Sequence, residues 1–257
     1  MNVFTFIGII NRLLPEPHAG LLAGILFGVK STLDKNLYQA LVTTGTLHIA
    51  ALSGMNITIL GSLVAVLFSR FFSKRATSIL TIVVIIGFVW LVGASASVIR
   101  AAIMGSLALL TVVFGKERWS IYSFIITVGI MLLYKPDWTR DLSFQLSAGA
   151  TLGIILFGAP KKKSVIEDEL RVTLAAQVFT IPLIFFTFHR ISLISPLTNL
   201  LIGGVISPLT AVGLVMVLVG WVWLPLAQPL AWMCWGCLEY VIKIIEFAAV
   251  IPFASLQ

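Results

Sequence analysis

Few side chains in this sequence can do chemistry, and most of them stand in apolar surroundings. The stretch "LHIAALSGMN" (47–56) carries His48, Ser53, Gly54 and Asn56. Arg100 sits in "SVIRAAIMGS", Asp141 and Gln145 in "RDLSFQLS", Gln177 in "LAAQVF" and Asn199 in "PLTNLL". Glu239, Lys243 and Glu246 follow at helical spacing, just after Cys234 and Cys237 in a C-x-x-C. An ionisable group in hydrocarbon is costly, so such residues face a protein interior or a wet cavity.

Four readings compete for these residues. His48 and Ser53 could form a hydrolytic pair, and "GASAS" (93–97) resembles the small-residue surroundings of an intramembrane serine protease. On one helix, however, five residues leave the two side chains about 140° apart. A base must lie within hydrogen-bond reach of its nucleophile, and the other histidines, His18 and His189, lie toward membrane edges. Metal binding fares no better. Three scattered histidines and a lone C-x-x-C have no ligand spacing, so neither metal nor cofactor is expected. The cysteines read as packing among Trp232, Trp235 and Leu238.

Packing accounts for the small residues. Ala50, Gly54 and Gly61 form one stripe and Ser97, Ala101, Gly105 and Ala108 another, and small residues let helices approach closely. A polar path accounts for the rest. On a helix, His48 and Asn56 lie about 80° apart and share a side. Asp141 and Gln145, spaced i, i+4, share another. Arg100 either pairs with Asp141 in a buried clamp or attracts a passing phosphate. Glu239 before Lys243 is a favourable helical pair, and with Glu246 it makes a polar stripe suited to a wet cavity or to the membrane interface.

The elements that must position these residues are of membrane type. The chain is 59% hydrophobic and 11% charged, whereas soluble domains are about 25% charged. Its apolar runs are long enough, at roughly 20 residues, to cross a hydrocarbon core of about 30 Å. The expected fold is all-α: a polytopic transmembrane helical bundle of about eight spans. The spans are placed at 47–68, 76–93, 96–114, 120–134, 141–158, 172–189, 196–223 and 227–251. Residues 1–46 form an interfacial N-terminal segment, with short interfacial or re-entrant helices at 1–10 and 16–29. Residues 47–257 form the transmembrane domain. The N-terminus lacks the basic start of a secretory signal.

The seventh span contains Gly203, Gly204 and Pro208. It is either a helix broken at mid-depth or a simple proline kink. Nine Lys and Arg (Arg70, Lys74, Arg75, Lys116, Arg118, Lys161, Lys162, Lys163, Arg171) follow the first, third and fifth spans. Six (Arg12, Lys30, Lys35, Lys135, Arg140, Arg190) lie on the other side. The bias places the first group in the cytoplasm and the N-terminal region outside. Trp119 and Trp138 stand at helix ends as interfacial anchors. The formal charge of +7 follows from such loops and does not by itself imply nucleic acid.

Several ordered blocks resemble the central membrane domain of the ComEC-type competence proteins. "TGTLHIAALSGMN" carries Thr44, Gly45, His48, Ser53 and Gly54 of one motif. "SVIRAAIMGSLALL" carries Arg100, Ala101, Ala102 and Met104 of a second. "KPDWTRDLSFQLSAGATLGI" supplies Pro136, Asp141, Phe144, Gln145, Leu146 and Ser147, and "ISPLTNLLIGGVISPLT" supplies Asn199 and Pro208. Upstream, "LLPEPHAGLLAGILFGVKSTL" is similar at Pro15, Glu16, Leu22, Gly24 and Gly28.

The resemblance implies a membrane channel for single-stranded DNA, located in the bacterial cytoplasmic membrane and acting in natural transformation. His48, Ser53, Gly54, Asn56, Arg100, Asp141, Gln145, Ser147 and Asn199 become conduit or motif residues, and Gly203, Gly204 and Pro208 a hinge. The expected partners are single-stranded DNA, the lipid membrane, a separate motor ATPase and separate DNA-binding or nuclease components, with a homo-oligomer possible. No G-x-x-x-x-G-K-[ST] loop is present, so the motor is external. Full-length members also carry an external oligonucleotide-binding fold and a metallo-β-lactamase-like domain, and neither fits in this chain. Asn56 stands where relatives often have His, which weakens a proton or metal role there. The alternatives are a transporter of another polar solute and, behind it, an intramembrane hydrolase.

Overall fold

The computed structural model describes residues 2–29, 31–50, 52–114, 120–158, 165–188, 191–192, 194–250 and 255–256. Trp119, Lys30, Lys116, Arg118, the "KKK" run at 161–163, His189 and Arg190 lie outside the described residues. In chain order the helices are α1 (Val3–Leu13), α2 (His18–Phe27), α3 (Lys35–Thr43), α4 (Gly54–Phe68), α5 (Lys74–Val92) and α6 (Ala96–Phe114). They continue with α7 (Ser120–Tyr134), a 3-10 helix (Pro136–Arg140), α8 (Leu142–Phe157), α9 (Val165–Phe188), α10 (Ser195–Val222) and α11 (Leu224–Val250). Apart from two strand segments of two residues each, Ile191–Ser192 and Ser255–Leu256, every described element is helical.

Among the described residues, four helical segments are long and apolar enough to cross a membrane: Lys74–Val92, Ala96–Phe114, Leu170–Thr187 and Leu197–Val222. The other expected spans are helical but shorter or more polar. α4 and α7 have 15 residues each and α8 has 16, and α11 interrupts its apolar length with Glu239, Lys243 and Glu246. The largest difference lies at the first span. Residues 47–50 are turns and the helix begins only at Gly54. Gly45, with φ +68°, already stands in the left-handed region that disfavours other residues. The helical rotations read from His48 to Ser53 and Asn56 therefore do not apply.

The chain forms two compact units, residues 1–60 with 192–257 and residues 61–191. The division expected at residue 46 concerned position relative to a membrane, which packing does not address. In the first unit α10 and α11 pack along each other, and α1 and α2 pack on them. All ten residues of α2 are buried. A helix of this length reaches about 15 Å, and α2 is enclosed on every side within this unit. α1 differs: Phe6, Ile7, Ile9 and Ile10 face inward while Phe4, Thr5, Asn11 and Arg12 are exposed.

α10 runs unbroken for 28 residues through Gly203, Gly204 and Pro208, so a break at mid-depth is not a feature of the structure. A proline ring crowds the carbonyl four residues back. Here that residue is Gly204, which has open space around it.

In the second unit α5 packs on α6 and α8 on α9. A Cβ at Gly153 would fall on the carbonyl of Ala175, so α8 approaches α9 at a distance only glycine permits. Ala96, Met131, Trp138 and Phe144 form a buried cluster where α6, α7, the 3-10 helix and the start of α8 meet. Trp138 is thus a core residue, 6% exposed, and not the surface anchor expected of it. Asp141 caps α8, its Oδ1 accepting from the Phe144 N–H at 2.9 Å and satisfying one orphan donor of the first turn.

Candidate functional site

Arg100 stands one turn into α6, on a helix that meets the length and apolarity of a span. Its Nε donates to Ser147 Oγ at 2.8 Å. One terminal nitrogen donates to Thr151 Oγ1 and touches the Met104 sulfur at 3.9 Å. Ser147 and Thr151 are i, i+4 on α8, so both hydroxyls project from one side of that helix. The Thr151 hydroxyl itself donates to the Ser147 carbonyl at 2.9 Å. Its proton is committed, and its lone pairs face the guanidinium.

The clamp with Asp141, one of the two readings for Arg100, is not formed. Asp141 is exposed and occupied as a cap. Gln145 turns back, its amide donating to the Thr139 carbonyl at 2.7 Å. Among the described residues Arg100 makes no ion pair, and its Nη2 makes no hydrogen bond. Hydroxyls solvate a cation without neutralising it. The result is a half-buried, uncompensated positive charge with an open donor, which is what an anionic oxygen requires. Thr151 was not among the residues expected here, yet its position four residues after Ser147 was the signal.

In the first unit the side chains of Asn56 and His48 lie against backbone carbonyls. The Asn56 amide donates to the Ile25 carbonyl at 2.5 Å and is 2% exposed. It satisfies one of the orphan carbonyls that end α2, joining α2 to the start of α4. His48 is exposed, with Nδ1 3.2 Å from the Gly45 carbonyl. Ser53 opens α4, its carbonyl accepting from the Asn56 N–H at 3.2 Å. Among the described residues no hydrogen bond joins His48 to Ser53. Asn199 Nδ2 donates to Ser195 Oγ at 3.3 Å, while its Oδ1 is buried without a partner.

The polar stripe of α11 gains a member that sequence reasoning did not place there. Glu239 accepts from Lys243 at 3.1 Å, as its spacing predicts, and from His18 Nε2 at 2.8 Å. His18 is buried and stacks on Trp235 with centroids 5.6 Å apart. It is 221 residues away in sequence, a separation at which no periodicity signals contact. Cys234 is buried, Cys237 half-buried, and both are free thiols.

Four helices of spanning length and composition, one of them bearing an arginine solvated by its neighbour's hydroxyls, define a helical membrane protein. Its lineage is equally definite. The chain belongs to the Competence protein family, whose model matches residues 25–257, as the ordered blocks led one to expect. It is 27% identical over 194 residues to ComE operon protein 3 of Bacillus subtilis (strain 168), covering 74% of this chain and 25% of that protein. It is 27% identical over 146 residues to Recombination protein 2 of Haemophilus influenzae (strain ATCC 51907 / DSM 11121 / KW20 / Rd), covering 54% and 18%. A protein of Aquifex aeolicus (strain VF5) is 28% identical over 186 residues, covering 72% and 43%. The chain thus spans less than half the length of each of these relatives. No solved structure matches it.

Proposed function

We propose that the chain is the membrane-embedded part of a route by which single-stranded DNA crosses the bacterial cytoplasmic membrane during natural transformation. The observation that carries this reading is Arg100, a cation in a spanning helix held by hydroxyls and not by a carboxylate. A phosphodiester oxygen can dock on such a group and leave again, because nothing covalent or strongly neutralising is exchanged. Membership of the Competence protein family supports DNA as the cargo, and Recombination protein 2 is so named in keeping with a DNA role.

The reaction needs no bond chemistry from this chain, which we read as a conduit and not an enzyme. Force comes from a separate motor. External DNA-binding and nuclease parts come from elsewhere in the full assembly, on the same polypeptide or another. The test is natural transformation in the source cell with Arg100→Gln and Arg100→Lys, at matched membrane levels of protein. Transformation is expected to fall at least about tenfold for Gln, the loss of one charge-assisted contact of ~1.4 kcal/mol or more. Unchanged transformation in both variants would remove DNA passage at Arg100 and favour transport of another polar solute.

A further inference from the structure

In the second unit an open crevice of about 530 Å³ runs between α5, α6 and α7 beside the α5–α6 turn. Ile86, Trp90, Ala102, Ile130, Tyr134 and Trp138 line it, and its walls are almost wholly apolar. The volume falls within the ~300–1,000 Å³ typical of ligand pockets. Two of the three helices forming it are long and apolar enough to span a membrane. Gly93, with φ +94°, turns the chain tightly at one end and contributes no side chain to fill the space.

The rim is of a different character. Trp90 and Tyr134 are 79% and 78% exposed, and such rings settle at the headgroup level of a bilayer. Lys135, the residue after α7, holds its ammonium 5.9 Å from the centre of the Trp138 ring. It makes no ion pair among the described residues. Asp137, the acid nearest in sequence, is exposed on the adjoining 3-10 helix. An apolar cleft open to the side, an aromatic rim and an unpaired cation at one end match the parts of one kind of molecule.

We infer that this crevice binds an anionic phospholipid, with one acyl chain in the cleft and the headgroup phosphate on Lys135. A bilayer supplies the chain wherever a spanning helix leaves a cleft, because an unfilled cleft forfeits its dispersion contacts. Lys135 supplies the preference for anionic headgroups.

The test is native mass spectrometry of the purified chain, incubated with phosphatidylglycerol and phosphatidylethanolamine of identical acyl chains. Retention of one phosphatidylglycerol, favoured about fivefold over phosphatidylethanolamine, is expected from a single lysine–headgroup contact. Lys135→Gln erases that preference and Lys135→Arg keeps it. Ala102→Phe fills the cleft and reduces retention of both lipids. Excess inorganic phosphate leaves retention unchanged, because the acyl chain holds the lipid. Equal retention of the two lipids by the unaltered chain overturns the inference, as does indifference to Lys135→Gln. Displacement by inorganic phosphate identifies a simple phosphate site and overturns it too. A dimer that excludes lipid from the cleft does the same. Should Ala102→Phe lose helical content, the Gln and Arg pair at Lys135 decides the matter alone.

Discussion

At the scale of single residues, two motif positions that look alike in sequence do different work. Arg100 is held by Ser147 and Thr151 and keeps an open donor. Asn56 is spent on the Ile25 carbonyl. Asn56→Leu removes that bond and strands a buried carbonyl, so the chain should lose about 1–3 kcal/mol of stability, seen as a lower thermal midpoint in detergent. Asn56→Asp should be at least as damaging, because a carboxylate places an acceptor against an acceptor. Thr151→Val should cost less, about 1 kcal/mol, as interhelical bonds in membranes do, but should lower DNA uptake along with Arg100→Gln. Equal loss of stability in the Asn56 and Thr151 variants, with uptake unmoved in the latter, would show that the hydroxyls serve structure alone.

At the scale of elements, caps and close approaches decide where helices start and how near they come. Asp141→Ala removes the cap of α8 and should cost about 0.5–2 kcal/mol, read in the same thermal assay. Gly153→Val drives a side chain into the Ala175 carbonyl. It should cost about 1–3 kcal/mol by overpacking, and Gly203→Ala, with open space at that position, should be nearly silent by comparison. Much of this layer was legible in sequence, because apolar runs of helical length announce themselves. Seven of the expected spans correspond to helices within a few residues, apart from an earlier start for α9. The start of α4 was not legible. "LHIAALSG" is apolar enough for helix, and only the left-handed Gly45 and the bond from Asn56 to α2 reveal why residues 47–50 turn. Nor was the Glu239–His18 contact, since a bond between distant elements leaves no local pattern. Arg100 stood out in sequence as a charge in an apolar helix, either paired with Asp141 or left for a passing phosphate, and the side chains that hold it are Ser147 and Thr151. Charge complementarity pointed to Asp141, whereas helix capping had already claimed that side chain.

At the scale of the whole molecule, family membership and helical membrane character stand on the match over residues 25–257 and on the four spanning-type helices. Passage of DNA is the proposal that depends on them. The most direct measurement uses proteoliposomes of the purified chain, with a labelled single strand outside, a membrane potential imposed and nuclease added at the end. With the motor and external components supplied, vesicles carrying the unaltered chain should protect labelled strand. Arg100→Gln vesicles should protect about tenfold less or lower, the loss of one charge-assisted contact. Rising salt should reduce entry, because phosphate contacts weaken with ionic strength. Equal protection by the unaltered chain and Arg100→Gln, or none above empty vesicles when the motor and external components are supplied, would contradict it.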